Sequence, residues 1–178
     1  MITIKVPARN FWDEANQQFI ETKAQTLTLE HSLVSISKWE QKWHVPFLDK
    51  KDMTQEQVLD YIRCMTITPN VDPLVYHALT DKNLLDIKEY IDDPATATWI
   101  NDKKKNSRPH RPVTSELIYY WMFKLQIDKS CEKWPLNRLL ILIEVFEEEE
   151  KAATKKTTMN QRYARHNALN KARRAKKH

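Results

Sequence analysis

Apolar and polar residues alternate with a period of two at the start of this chain and with a period near 3.6 over most of the remainder. Ile2 to Val6 (ITIKV) alternates until Pro7 stops it, and the Thr-rich runs QQFIET and AQTLTLEH alternate in the same way. Together they predict a small N-terminal β element within residues 1–31. From Ser32 the period changes. Leu33, Ile36, Trp39, Glu40 and Trp43 fall at helical spacing behind Ser32, a natural N-cap, and Pro46 sets the limit of that helix. Trp39 and Trp43 stand one turn apart and continue the apolar stripe, which assigns them to the core.

The helical period persists. Thr54 and Gln57 form a capping box ahead of Val58, Leu59, Ile62 and Met65. Pro69 and Pro73 bracket a turn and start a short helix, and TDKNLLDIKEYID predicts another over about 80–92, ending before Pro94. Thr114 caps SELIYYWMFKLQI, which is apolar nearly all round and therefore predicted to be a central helix wrapped by its neighbours. Trp121 and Trp134 are assigned to the core with the other two tryptophans. Pro135 occupies the first position of a helix carrying Leu136, Leu139, Leu140, Leu142, Ile143 and Phe146, expected to end in the acidic run 147–150. The expected fold is mainly α: a multi-helix domain over 32–150, a β element over 1–31, and a basic helical extension over 151–178.

Charge sharpens that division. The formal net charge is +5, but residues 151–178 hold six Lys and four Arg with no acid, leaving 19 basic and 24 acidic groups in the first 150 residues. The extension has good helix formers but only Met159, Tyr163 and Leu169 to line an apolar face, so alone in water it is marginal. Residues 101–112, NDKKKNSRPHRP, offer nothing to bury and read as an exposed charged loop.

Composition excludes several classes of function. The chain has no glycine, and phosphate-cradling loops of the Walker or dinucleotide type need backbone where no Cβ is tolerated. No apolar run reaches the roughly 18 residues that a spanning helix requires, and MITIKVPARNFW has no signal-peptide pattern, so the protein is expected to stay where it is made, with no membrane partner. Cys64 and Cys131 are far apart in apolar settings and read as buried thiols in a reducing cytoplasm. His31, His44 and His77 stand beside apolar residues and read as structural, and paired acids such as Asp92 and Asp93 lie in solvated charge runs. No HExxH, CxxC pair, Gly-flanked Ser or EF-hand spacing is present. The expectation is a non-enzymatic protein with no metal and no cofactor.

Binding then carries the functional argument. Ten positive charges would give nucleic acid a salt-dependent, nonspecific hold, yet the remainder of the chain is acidic and offers no RNP-type sheet or zinc finger. A protein partner is favoured: a helix that is marginal alone suits docking. The residues expected to carry it are Arg162, Arg165, Arg173 and Arg174, whose forked guanidinium groups suit carboxylates, with Lys171 and Tyr163 beside them.

Five stretches resemble a known family: SLVSISKWEQKWHVPFL at 32–48, VLDYIRCM at 58–65, SELIYYWM at 115–122, WPLNRLLILIEV at 134–145 and LNKARR at 169–174. In order and content they are similar to the small helical tail assembly proteins, or tail assembly chaperones, that tailed bacteriophages encode among their tail genes. The resemblance spans roughly residues 29–174 and rests on packing motifs; Pro135 replaces a His of the family pattern, and KKH replaces a short basic stretch with a glycine. It implies a factor in the host cytoplasm that keeps the helical tape measure protein soluble while tail tube protein polymerises around it. A structural component of the virion tail or baseplate is the alternative it implies.

Overall fold

The computed structural model describes residues 1–14, 17–50, 52–98 and 112–175, with the side chains at 13, 155–158, 160 and 169–175 left outside that description. The basic loop expected at 101–112 therefore lies, apart from Pro112, outside the described residues. The protein is mainly helical with a small β element at its N-terminal end: β1 (Ile2–Val6), β2 (Arg9–Asp13), β3 (Gln18–Thr22), β4 (Gln25–Leu29), α1 (Leu33–Trp43), α2 (Gln55–Met65), α3 (Asp81–Asp92), α4 (Ser115–Lys124) and α5 (Leu136–Ala175). Short 3-10 helices, Pro73–Ala78 and Lys129–Lys133, precede α3 and α5.

The four strands form one antiparallel ribbon interrupted once. β1 pairs with β4 and β2 with β3, and in both pairs the numbers of facing residues add to 31: Val6 faces Gln25 and Arg9 faces Thr22. The ladder breaks where Pro7, which has no N–H to donate, and Ala8 stand across from Lys23 and Ala24. Thr22 bridges the break with its side chain, its hydroxyl accepting from Arg9 N at 3.2 Å and donating to Arg9 O at 2.9 Å. β2 has no counterpart among the predicted strands, because Phe11 and Trp12 are adjacent large apolar residues and hide the alternation.

The ribbon's inner face supplies Ile4, Val6, Leu27 and Leu29 to a core that also takes Leu33, Ile36 and Trp39 from α1, Ile62 and Met65 from α2, Ile118 and Met122 from α4, and Leu136 and Leu139 from α5. The other edge of β4 is occupied: Ile67 N donates to Thr28 O at 2.9 Å, Glu30 N to Met65 O at 2.8 Å, and Thr28 N to the Thr68 hydroxyl at 2.8 Å. Thr54 and Thr80 each close a reciprocal capping box, which fixes the starts of α2 and α3, and at the start of α1 the Ser35 hydroxyl accepts from Ser32 N at 3.0 Å.

Three expectations are corrected. α4 is a surface-facing helix: Ile118 and Met122 are buried, but Tyr120 is 60% and Phe123 65% exposed. Its apolar content shows what could be buried, whereas burial needs a neighbour on each side. Of the four tryptophans assigned to the core only Trp39 is fully buried; Trp43, Trp121 and Trp134 are half-buried, the last beneath Arg138 at 4.3 Å. Finally, α5 runs through the acidic run instead of ending there. A carboxylate opposes the helix dipole only at a helix end, and residues 147–150 stand in mid-helix, where that penalty does not act.

The chain divides into two units, residues 1–141 and 142–178. The division redraws the charge picture. The first unit holds 19 acidic and 19 basic residues and is formally neutral; the whole acidic excess of the first 150 residues is Glu144 and Glu147 to Glu150, in the second unit.

Candidate functional site

In the first unit, α1 carries the side chains that organise the interior. Trp39 Nε1 donates to Gln57 O at 3.0 Å, and Trp43 Nε1 to Asp60 at 2.9 Å, so α1 and α2 are locked by two indole bonds. Lys42 reaches the other Asp60 oxygen at 2.5 Å. Phe47, from the loop after α1, lies 4.1 Å from Tyr61 and 5.3 Å from Trp39, centroid to centroid. Its backbone N–H donates to Glu40 at 2.8 Å, and the second Glu40 oxygen accepts from Ser115 N at 2.7 Å. One buried carboxylate thus joins the end of α1, the loop behind it and the first turn of α4. The signal for this was the position of Glu40 inside the apolar stripe of α1, which aims it inward.

His31, Tyr61 and Ser35 form a second buried cluster. His31 Nδ1 is 2.5 Å from the Tyr61 hydroxyl, and Ser35 Oγ lies 3.4 Å from the same hydroxyl. Burial lowers the His31 imidazole to about 4, against a smaller opposing pull from Asp92, and burial raises the Tyr61 phenol. His31 is therefore neutral at pH 7 with the Tyr61 hydroxyl on its Nδ1, while the Ser35 hydroxyl donates to Ser32 O at 2.7 Å. Cys131 is buried and Cys64 half-buried. Burial pushes the Cys64 thiol up, and Asp60 adds to the effect, which disfavours the thiolate.

An open cleft of about 740 Å³ lies between the end of α1 and the start of α4, edged by Gln41, His44, Pro46, Thr114 and Glu116. Pro46, Thr114 and Glu116 also border an adjoining hollow with Leu117 and Tyr120. At the ribbon tip, Trp12 and Phe19 meet edge to face at 4.9 Å while 52% and 71% exposed. Sequence reasoning passed over this pair, since only the strand register reveals that 12 and 19 face each other. Among the described residues, no group of three or more His, Cys, Asp or Glu is placed to hold a metal ion, and no helix is long and apolar enough to cross a membrane.

In the second unit, α5 carries the residues expected to bind a partner. Arg162, Tyr163 and Arg165 are exposed, Tyr163 by 63%, and so are the described side chains over 161–168. The side chains of Lys171, Arg173 and Arg174 lie outside the described residues, although the backbone there is helical. Met159, 53% exposed, lies one turn before Tyr163 on the same side of the helix. Local bonds support this stretch: Lys151 pairs with Glu147 at 3.2 Å, and the Thr154 hydroxyl donates to Glu150 O at 2.8 Å.

No protein-family model, curated protein or solved structure matches the chain.

Proposed function

We propose that this is a non-enzymatic bacteriophage tail assembly protein, a chaperone that holds the tape measure protein in the host cytoplasm during tail assembly, and that α5 beyond residue 150 is its docking arm. The observation that carries the reading is the exposure of Arg162, Tyr163 and Arg165 on a helix, within a final 28 positions of sequence that contain no acid. An arm of this kind takes hold of carboxylates on another helix, while Met159 and Tyr163 add a small apolar contact. The resemblance over residues 29–174 supplies the identity of the partner.

Co-expression with the tape measure protein of the same phage tests it. The intact protein is expected to keep the tape measure soluble and to co-purify with it, and deletion of residues 151–178 is expected to abolish capture while leaving the first unit folded. Unchanged capture by the truncated protein would refute the docking arm. Preferential, salt-resistant binding of duplex DNA by the same segment would replace this reading with a nucleic-acid one. Recovery of the protein in purified virions would favour the structural tail or baseplate role.

A further inference from the structure

We infer that α5 also recognises itself: in the absence of another partner, two copies of this chain pair antiparallel through residues 142–175, each acidic block lying against the other's basic block. The inference does not depend on the phage reading. It starts from where the charges are. The first unit is formally neutral, so the chain's own excess of negative charge is the block Glu144 to Glu150, and its excess of positive charge comes next on the same helix. The middle of the acidic block, near residue 147, and the middle of the cluster Arg162 to Arg174, near residue 168, are about 30 Å apart along a helix that rises 1.5 Å per residue. That exceeds the Debye length of about 8–10 Å at physiological salt, so within one copy the two blocks do not neutralise each other beyond a neighbour pair such as Lys151–Glu147.

An antiparallel second copy brings them together. Matching centre to centre makes facing residue numbers add to 315, with the two-fold axis between Thr157 and Thr158. The exposed Met159 and Tyr163 side chains then find counterparts. Val145, Glu149, Ala152, Met159, Tyr163 and His166 share one helical face by their three- and four-residue spacing. In this register Tyr163 faces the small Ala152 of the other copy, His166 faces its Glu149, and the two Met159 side chains lie on either side of the axis. Met159 and Tyr163 are more than half exposed in the single chain, so covering them is a gain. Positions 155, 156 and 162, each Lys or Arg in the sequence, fall towards the middle of the overlap in both copies. Those like charges keep the dimer weak enough for a stronger acidic partner to displace it.

The test uses the full-length protein. Sedimentation at rising concentration is expected to show a monomer–dimer equilibrium; a monomer throughout would overturn the proposal. Reversing the acidic block (E147K, E148K, E149K and E150K together) or the basic one (R162E, R165E, K171E and R173E) is expected to abolish the dimer in each variant alone. An equimolar mixture of the two is expected to restore it, because both contacts of the mixed pair are again complementary. Variants that still self-associate, or a mixture that stays monomeric, would sink it. As a measurement independent of the charge variants, A152C with Y163C in one chain is expected to give a disulfide-linked dimer on mild oxidation. A152C alone is not, since the two copies of residue 152 lie about 16 Å apart along the axis. Cross-linking by the single variant beyond that of the unsubstituted protein would mean parallel pairing and overturn the register.

Discussion

Trp39 and Tyr163 are both aromatic residues on helices, and they live under opposite regimes. Trp39 is fully buried, packs against Phe47 and spends its one polar hydrogen on Gln57 O, inside a unit where Glu40 and Asp60 each satisfy two donors. Tyr163 stands mostly in water on a long helix supported by bonds between neighbours in sequence. The first arrangement is determined by contacts from far along the chain, so it resists change. The second has helical form without tertiary commitment, which leaves its surface available to another molecule.

Substitutions should separate the two regimes by size of effect. Trp39→Ala empties a fully buried site and breaks an indole bond, and denaturant unfolding of the first unit is expected to lose about 3–5 kcal/mol; a loss under about 1 kcal/mol would mean that the aromatic cluster is not the keystone of the unit. Acidification comes next. The unfolded His31 imidazole titrates near 6.5 and the buried one near about 4, so the unfolded chain binds the extra proton between those values. Stability is accordingly whole above pH 6.5 and falls as pH drops towards 4, by about 3 kcal/mol in all. Unfolding curves at pH 7 and pH 5 should show the decline, and His31→Gln should flatten it.

Glu40→Gln turns one acceptor into a donor facing the Phe47 or Ser115 N–H, and is expected to cost about 2 kcal/mol. Proteolysis near residue 113 or 47 should speed up in that variant if the carboxylate ties the loop to α4. At the bottom of the scale, Tyr163→Ala should change the stability of the first unit by less than about 0.5 kcal/mol. A larger shift would place Tyr163 in a packed setting and erase the contrast.

Much of the first regime could be read from residues alone, because capping and periodicity are local. Ser32, Thr54 and Thr114 start their helices as their spacing predicts, and the stripe Leu33, Ile36, Trp39 is the buried one. What depended on distant partners could not be read. Phe47 enters the aromatic cluster through a loop with no period, Glu40 has its inward aim written in its stripe but not its partner Ser115, and Phe11 and Trp12 reveal no strand until Ile20 and Phe19 lie across from them. For α5 the misleading cue was charge: a run of four glutamates suggests an end, yet glutamate, lysine and alanine are all good helix formers and the run simply continues. Arg162 and Arg165 were legible as members of a basic cluster, while nothing in the letters disclosed that the acidic excess belongs to the same helix.

The constant sum of 31 along the ribbon limits how this part of the chain can change length. Side chains in a strand alternate sides, so losing Ala8 alone would advance one arm by a step and present Trp12 where Phe11 now stands, parting Trp12 from Phe19 and taking Arg9 away from Thr22. A matching loss at Lys23 or Ala24 would bring the arms back into step. Insertions and deletions around this kink are thus tolerable in opposed pairs and disruptive singly, a rule that a library of length variants scored for folding would expose directly.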